Sequence, residues 1–220
     1  MTTMSVPEAL INRLTEGRVI LFLGAGALQG TTLPREKKPV LGEGLRELIS
    51  DQFLDGEYKN ESLAFVADLA VEADSLFSVQ DFVASQFADI APADFHLQIP
   101  QFNWRAIFTT NYDRLPEIVY EQCHDRLQSP RVILSNSDNL DETRRTNDIV
   151  PLVKLHGCIT RTHDSSLPLI LSTEQYIDYK KYRDRLFGYL YDLGHENTIV
   201  FVGHSLQDQN IREVIKQIGR

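Results

Sequence analysis

Residues 19–26 read Val-Ile-Leu-Phe-Leu-Gly-Ala-Gly, an apolar run ending in a glycine pair around one alanine. The run is apolar without alternation, which suits a strand buried on both faces of a parallel sheet. The glycines suit a backbone that must come close to something. A glycine-rich turn at the carboxyl end of such a strand is where α/β proteins hold a phosphate-bearing ligand.

Outward from this strand, short apolar runs bounded by turn residues predict further strands at 106–109, 132–134, 150–155, 169–171 and 199–202. Helical patterns fall between them at 7–14, 41–53, 62–73, 79–88, 113–124, 173–193 and 208–218. Leu41, Leu45, Leu48, Ile49 and Phe53 make a helical stripe. Pro116 is tolerated in a first turn, and Ser172 with Gln175 fits a capping box. The alternation predicts an α/β fold, a Rossmann-like parallel sheet with helices on both faces. The mostly helical stretch 41–100 is too long for a simple crossover and predicts a helical module over the sheet's ligand edge. Val79, Phe82, Val83, Phe87 and Ile90 read as core. No repeat or low-complexity linker divides the chain, so 1–220 reads as one domain.

The 220 residues are enough for one domain with a real core. A net charge of -9 opposes a nucleic-acid-coating surface, so no direct nucleic-acid partner is expected. Lys180, Lys181, Arg183 and Arg185 read as a solvated helix face. Cys123 and Cys158 cannot build a four-thiolate zinc site, and no CxxC spacing exists, so no metal is expected. Two unpaired cysteines in an acidic chain, behind an N-terminus without a leader pattern, point to the cytoplasm. No apolar stretch approaches the roughly 18 residues needed to span a bilayer. The final helix-like segment carries no tail, and the expectation is that a longer protein continues beyond it.

Four motifs follow predicted strands. Gly24-Ala25-Gly26, with Gly30 beyond, departs from the dinucleotide fingerprint GxGxxG because Gln29 stands where its third glycine belongs. The acidic residue expected at the end of a second strand is also missing, which argues against a dehydrogenase. The bland reading is a tight turn with no ligand. Thr109-Thr110-Asn111-Tyr112-Asp113 places polar side chains at a strand end, where ligand crevices form. Its bland reading is an Asp113 helix cap and an Asn111 Asx turn. His156, between Leu155 and Gly157, is a candidate general base, or a structural histidine. In Gly203-His204-Ser205-Leu206-Gln207-Asp208, Ser205 and Asp208 have the spacing of a helix start. Such a start also offers N–H groups to a phosphate or ribose. His96, His124, His163 and His195 carry no motif.

The order of these four motifs resembles the sirtuin family. It is closer to the bacterial sirtuin-like domains of anti-phage defence proteins than to protein deacetylases. The resemblance spans Leu23 to Asp208. The sirtuin pattern TQNID is matched at Thr109, Asn111 and Asp113, with Thr110 and Tyr112 replacing glutamine and isoleucine. The resemblance implies a catalytic Asn111 against the nicotinamide ribose, placing a water, and a catalytic His156 working on the ribose hydroxyls. It implies that Asp113 holds the nicotinamide carboxamide and that Thr110 belongs to the same binding segment. Gly24, Ala25 and Gly26 would form the pyrophosphate turn, and Gly203 and Ser205 would touch the adenosine-side ribose and phosphate. Deacetylases follow the glycine turn with a serine and GIPDFR. Here the chain reads ALQGTTLPREKKPV, and no role passes to Arg35. The four-cysteine zinc ribbon is also missing, since only Cys158 follows the histidine.

The implied activity is an NAD+ glycohydrolase giving nicotinamide and ADP-ribose, with NAD+ as substrate and no metal, acting in abortive-infection defence. The resemblance further implies a homo-oligomer and a sensor or activator, either argonaute-like, helicase-like or a fused C-terminal domain. Two alternatives stay open: a sensor of NAD or ADP-ribose-type nucleotides without turnover, and an NAD-dependent protein deacylase.

Overall fold

The computed structural model describes residues 6–34, 40–140 and 148–219, so Arg35 lies outside the described residues. Among the described residues five strands form one sheet: β1 (Val19–Leu23), β2 (Ala106–Thr109), β3 (Ser129–Ile133), β4 (Ile149–Lys154) and β5 (Thr198–Val202). Their order across the sheet is β3-β4-β2-β1-β5, and every pairing is parallel. The helices are α1 (Glu8–Thr15), α2 (Gly42–Phe53), α3 (Leu63–Ala73), α4 (Leu76–Phe87), α5 (Leu115–Gln122), α6 (Thr173–Asp178), α7 (Lys180–Glu196) and α8 (Gln209–Ile218).

The VILFL run is a central strand buried along its whole length. Successive side chains of a strand point to opposite faces, and both faces of β1 are covered. Val19, Leu21 and Leu23 pack with residues of α2 to α5. Ile20 and Phe22 pack with Leu186, Phe187 and Leu190 of α7 and Ile211 and Val214 of α8. This is the α/β architecture that the apolar run predicts. Val79, Val83, Phe87 and Ile90 are buried in the first of these cores, with Phe82 packed against it. The insertion between β1 and β2 thus shares the core of the sheet.

The strand expected at 169–171 is absent. Leu169, Ile170 and Leu171 are buried, but as irregular chain. Leu169 N donates to Gln80 Oε1 and Ile170 N to the His156 carbonyl, so these buried amides are satisfied without a ladder. The strand expected at 132–134 begins earlier, at Ser129, as a largely exposed edge strand where Pro130 is tolerated. The helix expected over 173–193 is two helices meeting at Tyr179. The capping box of Ser172 and Gln175 is present. Arg183 is not on a solvated face: its side chain is buried and donates to the carbonyls of Leu134 and Pro168. Both cysteines are free and buried. Among the described residues, no helix is long and apolar enough to cross a membrane.

Candidate functional site

Register decides which residues meet. Leu23 pairs with Thr109 and with Val202, and Thr109 pairs with Lys154. Lys154, Thr109, Leu23 and Val202 therefore form one row across the sheet. Because all strands are parallel, the four motifs emerge just beyond that row, on one edge. A cavity of about 1180 Å³ opens there, somewhat above the roughly 300–1,000 Å³ usual for small-molecule sites. Ala25, Gly26, Thr110, Asn111, Asp113, His156, Gly203 and Ser205 line it. Residues of α2, α3, α6 and α8 close its other sides.

Gly24 does not line the cavity; its place is in backbone packing. Gly24 N donates to the Val202 carbonyl at 2.9 Å, and Gly26 N to the Gly203 carbonyl at 2.8 Å. Gly203 has φ +65°, and a Cβ there would lie 2.0 Å from Ala27 N. The turn after β1 and the loop after β5 thus touch backbone to backbone, which only residues without Cβ allow.

Asn111 bridges two strand ends. Its backbone N donates to Thr109 Oγ1 at 2.9 Å, and its Nδ2 donates to the Gly24 carbonyl at 3.0 Å. A carbonyl can only accept, so this bond fixes the amide orientation and leaves Oδ1 as an acceptor. The side chain makes a long-range tie rather than the Asx turn considered from sequence. Asp113 is buried and lies one residue before the N-cap, which is Arg114. Its Oδ1 accepts from Leu115 N at 2.8 Å, while Oδ2 is buried without a hydrogen-bond partner. Burial raises the Asp113 pKa; Lys154 and the Leu115 amide pull it down without cancelling that rise. Beneath this segment, Lys154 donates to the Asp113 carbonyl and, at 3.0 Å, to Glu117 Oε1. Burial opposes the Lys154 charge, but Glu117, Cys158 and Asp113 outweigh it and raise the pKa.

His156 is buried at the cavity wall. Its ring meets Tyr176 edge-on, with centroids 5.4 Å apart. Its Nε2 lies 3.1 Å from Asp208 Oδ2. The contact is close but out of line for a hydrogen bond, and both atoms are buried without another partner. Tyr176 and Asp208 escape recognition as site residues in the sequence. Tyr176 sits mid-helix with no motif, and Asp208 reads there only as part of a helix start. Asp208 is indeed the N-cap of α8, accepting from Ile211 N. His96, which carries no motif, is also placed with purpose. Its Nδ1 accepts from Ala93 N, and its Nε2 bonds the Ala27 carbonyl, pinning the turn after β1 to the helical insertion.

Among the described residues, Lys180 is the single Lys or Arg lining the cavity. No group of three or more His, Cys, Asp or Glu among them is placed to hold a metal ion. The site therefore offers backbone N–H groups, one fixed amide, an imidazole and two carboxylate oxygens without a hydrogen bond, Asp113 Oδ2 and, against the imidazole, Asp208 Oδ2. A family model described as SIR2-like domain matches residues 105–220. Comparison with curated proteins gave no match.

Proposed function

Since the chain belongs to the SIR2-like domain family, matched over residues 105–220, we propose that it hydrolyses NAD+ to nicotinamide and ADP-ribose. One observation carries this reading: Asn111, Asp113 and His156 converge on one cavity, and Asp113 keeps a buried acceptor with no donor. A carboxamide N–H₂ is the group that would satisfy it.

In this reading Asp113 Oδ2 accepts from the nicotinamide amide and orients the ring. The C1′–N1 bond breaks, and its electron pair passes to the nicotinamide nitrogen, neutralising the pyridinium. Positive charge develops on the ribose. Asn111 Oδ1 accepts from a water and holds it for attack at C1′. As the water oxygen bonds to C1′, its proton leaves to His156 and then to solvent. With Lys180 the single Lys or Arg at the cavity among the described residues, the pyrophosphate is held by backbone N–H groups at Ala25 in the turn after β1 and at Gly203 and Ser205 in the loop after β5, while the Gly26 N–H is spent on the Gly203 carbonyl.

We infer further that the reaction depletes NAD+ during phage infection in the cytoplasm. Homo-oligomeric assembly and an attached or partner sensor would switch it on. The resemblance to defence proteins supports this, as does the loss of the deacetylase segments. The test is nicotinamide release by the full-length protein, beside Asn111→Ala and His156→Ala. Release that falls at least roughly 100-fold in both variants is expected from the loss of a positioned water or its base. Variants as active as the wild type would overturn the reading. Release that required an acylated peptide would favour a deacylase, and tight binding without turnover a sensor.

A further inference from the structure

Asp208 is placed to act on His156, and helix capping does not account for that placement. One of its oxygens, Oδ1, accepts from Ile211 N at 2.8 Å and caps α8. The other, Oδ2, stands 3.1 Å from His156 Nε2, with both side chains less than a tenth exposed. Capping needs an acceptor and no charge, since Asn and Ser cap as well as Asp. A nearly buried carboxylate is more costly than a neutral cap unless something offsets its desolvation. The imidazole does so. Burial works against the Asp208 charge, yet His156 and the Ile211 amide hold its pKa below the usual range.

We propose that Asp208 is a positioning residue for the hydrolysis, holding the His156 ring and stabilising the imidazolium that forms when His156 takes the proton of the attacking water. This rests on the hydrolase reading above. The contact is out of line for a hydrogen bond, so the carboxylate acts through its charge: at 3.1 Å it favours hydrogen on the facing Nε2 and leaves Nδ1 to take the proton. The proton passes from water to His156 and on to solvent. Asp208 stays ionised, and no bond to it forms or breaks.

The other titratable groups about the pair do not replace this charge. Tyr176 and Tyr112 are held protonated, first by burial and then by neighbouring groups that include Asp208. His204 has its pKa lowered by burial, which Asp208 opposes and His156 reinforces. The Arg183 guanidinium lies behind Gly157 and adds only positive charge. Among the described residues, Asp208 is the one carboxylate within 4.0 Å of a His156 ring nitrogen.

Asp208→Asn and Asp208→Ser keep an N-cap and remove the charge, so both variants are expected to fold. The experiment reads the His156 ring nitrogen signals by NMR in the full-length wild type and both variants, with His156→Ala assigning them. The rate of nicotinamide release is measured beside it. In the wild type the signals are expected to show hydrogen on Nε2, and in each variant a mixture of the two tautomers. The rate falls roughly 10- to 100-fold in each variant, part of what a general base contributes. Ring signals equal to those of the wild type in both variants would overturn the pairing. A wild type that releases no nicotinamide would instead overturn the hydrolase reading, and with it the catalytic role given to Asp208.

Discussion

Gly203→Ala should break the joint between the turn after β1 and the loop after β5. The added Cβ would lie 2.0 Å from Ala27 N and 2.2 Å from the Gly26 carbonyl carbon. Both contacts are backbone, so no side chain can swing away. The φ of +65° adds a left-handed penalty of about 1–2 kcal/mol for a residue with a Cβ. Forcing atoms into a packed site costs about 1–3 kcal/mol more. Parting the loops also strains the bonds from Gly26 N to the Gly203 carbonyl and from Gly24 N to the Val202 carbonyl, each about 1 kcal/mol. The sum is about 4–7 kcal/mol. For a domain of this size that lowers the melting temperature by on the order of 10 °C or more. Gly188→Ala is the control. Gly188 lies within α7, and a Cβ there meets nothing within 4 Å. Removing a helical glycine should stabilise by about 0.5–1 kcal/mol. Urea and thermal unfolding of the two variants read both signs in one series. Gly203→Ala as stable as the wild type would refute the backbone-contact argument, and Gly188→Ala less stable than the wild type would refute its use of open space.

Two further perturbations test the support beneath Asn111 and Asp113. Lys154→Met strands the buried Glu117 carboxylate and should cost about 3–5 kcal/mol, whereas Lys154→Met with Glu117→Met should cost less than that single change. Additive losses in a urea-denaturation cycle would contradict a coupled pair. Asp113→Asn should cut nicotinamide release while leaving the protein at least as stable at pH 7. The folded carboxyl has a raised pKa, so its ionisation weakens the fold at pH above that folded value. This penalty fades as pH falls toward the unfolded carboxyl range near 4. The stability gap between variant and wild type should shrink over the same interval, and a gap that widens on acidification would contradict the burial argument.

The sequence carries local information, and the fold follows it where local information suffices. Val19–Leu23 is legible as a central strand because a strand buried on both faces can hold only apolar residues. The capping box at Ser172 is legible because all its partners lie within one turn. The apolar triplet 169–171 misleads for the same reason: burial is written in its side chains, but its amide partners are Gln80, far earlier in the chain, and the His156 carbonyl. The first residues of β3, Ser129 to Arg131, are hidden because an exposed edge strand needs no hydrophobic run, only the open edge of β4.

At the site, the chain by itself determined which residue types stand at strand ends: Gly24 to Gly26, Asn111, Asp113, His156 and Gly203. Their meeting was decided by tertiary structure. Parallel pairing and the common row through Leu23, Thr109, Lys154 and Val202 carry the four ends to one edge. The partners are likewise tertiary: Gly24 for Asn111, Lys154 for Asp113, and Asp208 for His156. A spacing pattern records a helix start at Ser205 and Asp208 because capping acts within three residues. It is silent on the imidazole, because contact across a folded core leaves no mark on sequence separation.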